Sequence, residues 1–138
     1  MSASASFVLF PLGDRRFALP AEQVAELALP GNLQEFPHTT PLLTGVLVRR
    51  GRIVPVCDIA PLLVGKNAPA RRFYLMTYTS ANAGDWTAVP VTGECELAAC
   101  DDVRVSAGSP DYITAFISRG DEQISVIDLQ KLVAREVH

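Results

Sequence analysis

The chain has 138 residues, of which 49% are hydrophobic and 20% charged, with a net charge of −3. This is the composition of a globular domain large enough to bury a core without disulfide or metal staples. It argues against a general polyanion-binding face, because there is one clear basic cluster, Arg49-Arg50-Gly51-Arg52, with a smaller pair at Arg71-Arg72, so no nucleic-acid partner is expected.

Three cysteines, Cys57, Cys95 and Cys100, make an odd set that does not suit a disulfide framework. The N-terminal Met1 to Ser6 has neither the positive charge nor the apolar core of a signal peptide. No apolar run approaches the ~20 residues of a membrane-spanning helix. A cytoplasmic protein without direct membrane insertion is expected.

In chain order, strands dominate. Phe7-Val8-Leu9-Phe10 and Arg15 to Leu19 flank a Gly13-Asp14 turn and read as a hairpin. After Pro20, the apolar residues Ala21, Val24, Ala25 and Leu27 fall at helical spacing, and Pro30-Gly31-Asn32 ends that segment. Leu42 to Val48 and Ile53 to Cys57 read as buried strands around the arginine turn. Asp58 precedes Ile59, Leu62 and Leu63, the pattern of a short helix whose first N–H groups bond to the aspartate. Phe73 to Tyr78 and Trp86 to Val91 are further strands, joined through Gly84-Asp85.

This order repeats. Ala88-Val89-Pro90 matches Ala18-Leu19-Pro20, Arg119-Gly120 matches Arg50-Gly51, and Ile124 to Leu129 matches Ile53 to Ile59. Asp128 follows Asp58 by 70 residues and Gly120 follows Gly51 by 69. Leu129, Leu132 and Val133 repeat the short helix. The expectation is a duplicated all-β unit, a small barrel with a short capped helix made twice. The single domain spans 5–136, divided approximately into 5–68 and 69–136, with strand exchange between the halves left open.

Catalytic constellations are missing from the pattern. The only histidines are His38 and the terminal His138, neither with an evident partner. Asp58 and Asp128 are two carboxylates of the kind an acid–base pair uses, but helix capping explains both. No glycine-rich phosphate loop and no H-E-x-x-H is present. A catalytic site, a cofactor and a metal are therefore not expected. The alternative is a small-barrel module for a ligand or metal, built on Cys57, Cys95 and Cys100 with His38.

The run from Gly45 to Ile59, G-V-L-V-R-R-G-R-I-V-P-V-C-D-I, resembles the CheW-family signature, approximately G-V-x-N-L-R-G-x-I-V-P-V-x-D-L. Val24-Ala25-Glu26 resembles the family's V-x-E, Phe36-Pro37 with Pro41 its proline-rich approach, and Asp111-Tyr112-Ile113 with Ile124 to Leu132 its closing elements. The resemblance covers roughly residues 7 to 135.

It implies two packed five-stranded SH3-like β-barrels with short capping helices. It also implies a non-catalytic adaptor that couples the cytoplasmic tip of a methyl-accepting chemoreceptor to the regulatory domain of a CheA-type histidine kinase. The pathway would be chemotaxis or a related chemosensory system such as one for twitching motility, and weak self-association fits this class. Carried over by position, the partner-binding residues are Val24, Glu26, Gly45, Arg50 and Gly51, with Glu26 and Arg50 expected to pair across the first barrel. Val48-Arg49 departs from the family, which has Asn-Leu there, and Val91-Thr92 stands where many relatives have Val-Asp.

Overall fold

A computed structural model describes residues 5–29, 34–35, 43–65, 72–78, 86–106, 108 and 110–134. The readings at Pro30-Gly31-Asn32, Phe36-Pro37, His38, Pro41, Gly84-Asp85 and His138 lie outside these residues.

Twelve strands and two short helices are present among the described residues. The strands are β1 (Ala5–Leu12), β2 (Arg15–Pro20), β3 (Val24–Ala28), β4 (Gln34–Glu35), β5 (Leu43–Arg49), β6 (Arg52–Cys57), β7 (Phe73–Tyr78), β8 (Trp86–Val91), β9 (Glu96–Cys100), β10 (Val103–Val105), β11 (Ile113–Arg119) and β12 (Glu122–Ile127). The helices are α1 (Ala60–Val64) and α2 (Leu129–Ala134). Residues 21–27 do not form the expected helix. A single 3-10 turn at Ala21–Gln23 gives way to β3, whose backbone pairs with β7 from Val24 to Ala28. Pairing across the sheet outweighs a weak local helical period there.

The strands form two six-stranded sheets of identical order, β3-β7-β8-β6-β5-β4 and β9-β1-β2-β12-β11-β10. Each holds the five strands expected of its barrel and a further strand of two or three residues, β4 or β10, at one end. The first sheet is contiguous in sequence, from Val24 to Val91. The second joins Glu96–Ile127 to the N-terminal hairpin β1–β2, through a parallel pairing of Phe17 with Ser125 and Ala18 with Val126. The N-terminal hairpin and the last strands of the chain thus share one sheet.

The duplication holds residue by residue. Val56 pairs with Ala88 as Val126 pairs with Ala18, and the bulge between Leu43 and Gly45 recurs between Ile113 and Ala115. Thr44 donates to the Val56 carbonyl and Thr114 to the Val126 carbonyl. All these positions differ by 70. The hairpin turns keep the same offset: Arg49 and Arg52 close one, Arg119 and Glu122 the other. Arg50 therefore corresponds to Gly120, not Arg119, which corrects the 69-residue match of the two Arg-Gly pairs.

Three hydrophobic clusters result. Leu47, Val54, Val56, Tyr74, Met76 and Ala88 fill the first barrel. Ile117, Ile124, Val126, Phe7, Leu9 and Ala18 occupy the matching places in the second. Between them lies a shared core containing Phe10, Phe17, Leu19, Ile59, Leu75, Val89, Ile127 and Leu132. Alternate residues of β1 thus enter different cores, which explains the unbroken apolar run Phe7 to Phe10: both faces of the strand are covered. Pro55 sits on β6, between β5 and β8, opposite Val46.

Candidate functional site

The site grows from the β5–β6 hairpin. A two-residue connection between right-twisted strands favours positive φ at both central residues, and Arg50 and Gly51 adopt φ of 53° and 76°. Glycine meets that requirement without strain, whereas Arg50 is the single non-glycine residue at positive φ among those described. The turn lifts the Arg50 side chain into solvent, where it is 66% exposed.

Glu26 approaches from β3, at the opposite side of the sheet order. Its carboxylate accepts from Arg50 Nε and a terminal nitrogen at 3.1 and 3.2 Å. It also accepts from Arg49 Nε and a terminal nitrogen, both at 3.2 Å. The sheet is curled so that β3 and β5 meet across the barrel mouth, where Glu26 is 19% exposed. Hydrogen bonds from Arg50 and then Arg49 hold the Glu26 carboxyl at a pKa of about 2, below its ordinary 4.5. The Arg50 guanidinium is raised by the same contact.

The expected pairing of Glu26 with Arg50 is present, and Gly51 completes the turn that presents it. Val24 lies elsewhere, half-buried against the shared core. Gly45 is buried in β5 at the bulge, paired with Val56 and with Glu35 of β4. Its counterpart Ala115 is also buried, so the repeat admits a Cβ at that register.

In the sequence Arg49 stands out only as a departure from the family pattern, with no local sign of its bond to Glu26. The 70-residue offset carries the signal, because Glu96 and Arg119 repeat the pair at the second barrel. Arg119 donates to Glu96 at 3.1 Å and Arg16 donates to it at 3.2 Å. Arg16 also forks onto Glu122, with Nε at 3.0 Å. Among the described residues, the second mouth joins Arg16 and Arg119 to two carboxylates, whereas in the first Arg49 and Arg50 share one. Where the second mouth has Arg16 and Glu122, the first has Trp86 and Arg52, with the Arg52 guanidinium 5.1 Å from the indole centroid.

A ligand or metal site of the alternative kind would need the cysteines together. Cys57 and Cys95 pack on the shared core, while Cys100 belongs to the second barrel's cluster. Among the described residues no group of three or more His, Cys, Asp or Glu side chains is arranged to hold a metal ion. His38 lies outside them. Burial pushes the Cys95 thiol up to about 11. Asp58 accepts from Ala60 N–H at 3.2 Å and Asp128 from Lys131 N–H at 3.1 Å, so both aspartates do bond to the starts of short helices.

A CheW-like domain model matches residues 6–137. Protein FrzA of Myxococcus xanthus is 37% identical over 57 residues, a match that covers 41% of this chain and 36% of that protein. The match therefore spans about a third of FrzA's length. The crystal structure of the scaffolding protein TtCheW from Thermoanaerobacter tengcongensis is similar with a TM-score of 0.80 at 18% identity, covering 94% of this chain and 92% of that one. This last likeness is one of fold, and it identifies the two sheets as a CheW-type pair of barrels.

Proposed function

Because the chain belongs to the CheW-like domain family, we propose that it is a non-catalytic cytoplasmic adaptor that couples a chemoreceptor tip to the regulatory domain of a CheA-type kinase. The observation that carries this reading is the Glu26–Arg50 pair on an exposed turn. A bidentate guanidinium fixed at a barrel mouth presents directional donors to a helical partner, which is the chemistry of recognition rather than of turnover. Val24 and Gly45 support this surface from the framework, and Gly51 sets the turn. The pathway is chemotaxis or a related chemosensory system.

Titration of the purified protein into the regulatory domain of the kinase from the same cell, and separately into the receptor's cytoplasmic helical hairpin, tests the reading. Saturable binding to both is expected. A folded protein that binds neither would overturn it.

A further inference from the structure

The β1–β2 hairpin is paired within itself and seated in a slot made by the rest of the chain. Its strands pair over six positions, from Phe7 with Pro20 to Leu12 with Arg15. Phe10, Leu12, Phe17 and Leu19 enter the shared core, while Phe7, Leu9 and Ala18 enter the second barrel. Leu9, Phe10, Leu12, Phe17 and Leu19 are among the largest fully buried side chains. A body without this hairpin would open both cores to water, at a cost that grows with the apolar area exposed. The slot has to be filled.

The slot is built from residues distant in the chain. β1 lies along β9 from Ala5 with Cys100 to Leu9 with Glu96, and β2 lies along β12 through Phe17 and Ala18. Gly13 N–H donates to Thr92 Oγ1 at 3.0 Å, Thr92 N–H to the Pro11 carbonyl at 3.2 Å, and Arg15 to the Leu63 carbonyl at 3.3 Å. Arg16 forks onto Glu122 and reaches Glu96. Each of these partners lies at position 63 or later, so a second copy of the chain offers the same set. Only the chain connection makes the hairpin prefer its own slot.

That connection is short and lightly held. Ala21–Gln23 form one 3-10 turn with no buried residue, between Pro20 and Val24. Both flanking residues are already extended, with φ and ψ of −53° and 133° at Pro20 and −106° and 123° at Val24. An open groove lined by Ser6, Phe7, Pro20 and Glu22 runs beside the turn. Straightening three residues would join β2 and β3 in one extended run, reaching about 13–14 Å from Pro20 to Val24. The hairpin would then enter a neighbouring copy while its own slot takes that neighbour's hairpin.

We propose that this chain self-associates by exchanging the β1–β2 hairpin between two copies, each completing the second barrel of the other, with Ala21–Gln23 as the hinge. The contacts of hairpin and slot named above are all kept in the exchanged pair, and only the turn is reorganised. Such exchange is a low-cost route from monomer to closed dimer. Mass action divides the two forms: insertion within the chain prevails when dilute, and exchange grows with chain concentration.

Ser6 and Ala99 face each other in register on β1 and β9, and both are exposed. Antiparallel partners stand about 4.5–5.5 Å apart at Cα, within reach of a disulfide. The test mixes Ser6→Cys chains with isotope-labelled Ala99→Cys chains, unfolds them in denaturant and refolds them together over a range of concentrations. Monomer and dimer are separated by gel filtration, oxidised and mapped by mass spectrometry. The expected result is a dimer share that rises with concentration and carries a disulfide between positions 6 and 99 of different chains. A chain with both substitutions should close the same link within itself as a monomer. Lengthening the hinge by Gly-Ser-Gly after Glu22 should lower the dimer share severalfold, since a relaxed turn favours the chain's own slot. Absence of a dimer at every concentration would overturn the proposal. So would a dimer without the link between positions 6 and 99, which joins folded monomers by their surfaces, or a dimer share indifferent to hinge length.

Discussion

Arg49 and Arg119 stand at the same register position of two β-hairpins 70 residues apart, and each donates to a glutamate across its own barrel mouth, Glu26 in one and Glu96 in the other. Duplication has kept this clasp while its surroundings changed, which separates what closes a barrel from what decorates it.

Acid should loosen both clasps. Glu26 titrates in the folded chain at about 2 against an ordinary 4.5. Its contribution is therefore fully present above pH 4.5 and is lost as the pH falls towards 2. Glu96 and Glu122 are lowered in the same direction by their arginines. Urea midpoints measured between pH 7 and pH 2 are expected to fall across that window. Glu26→Gln should flatten part of the fall, because the amide does not titrate.

The turn offers a way to part stability from binding. Arg50→Gly relieves the positive φ that Gly120 already occupies in the other hairpin, and its melting temperature is expected at or above that of the wild type. Receptor binding should nevertheless weaken, because the guanidinium is gone. Gly51→Ala forces a Cβ into the left-handed region and should destabilise the fold by about 1–2 kcal/mol. Denaturant melts of both variants, set beside receptor titrations, check the pair.

Much of this arrangement was legible in the sequence. Gly13-Asp14, the Ala-x-Pro repeats and the two capping aspartates mark real elements because each depends on local chemistry. The place of the β1–β2 hairpin was not legible, since the apolar run Phe7 to Phe10 reports burial on two faces without saying which barrel owns it. Likewise, Ala21 to Leu27 has a helical spacing that only the presence of β7 overrides. The Arg-Gly repeats mislead by one residue because one turn carries its glycine second and the other carries it first. Glu26 with Arg50 was within reach, but Arg49 needed the correct offset.

Phe17 should be among the most sensitive positions. It is fully buried in the shared core, its ring 6.2 Å from that of Phe10, with the Arg15 guanidinium 4.9 Å from its centroid. Phe17→Ala is expected to cost about 3–5 kcal/mol. Since the core it leaves is common to both barrels, tryptophan fluorescence, which reports Trp86 in the first barrel, should shift at the same denaturant concentration as far-UV circular dichroism.

The Cys95 thiol, pushed to about 11 by burial, should alkylate far more slowly at pH 8 than a free cysteine, since the thiolate is the reactive form. Mass-spectrometric timing with iodoacetamide in native buffer and in denaturant checks this. Rapid native labelling at Cys95 would contradict the burial.

The β1–β2 hairpin has a consequence for how the chain is made. It leaves the ribosome well before the strand it lies beside, β12, which ends at Ile127. At ordinary elongation rates this leaves roughly 5–25 s in which Phe7, Leu9 and Ala18 wait for their partners. The middle of the chain, Val24 to Val91, meanwhile has every strand of its own sheet. Synthesis thus delivers a finished inner barrel early and holds the outer one open until its last strand arrives, so the nascent hairpin is where a chaperone would find its longest opportunity.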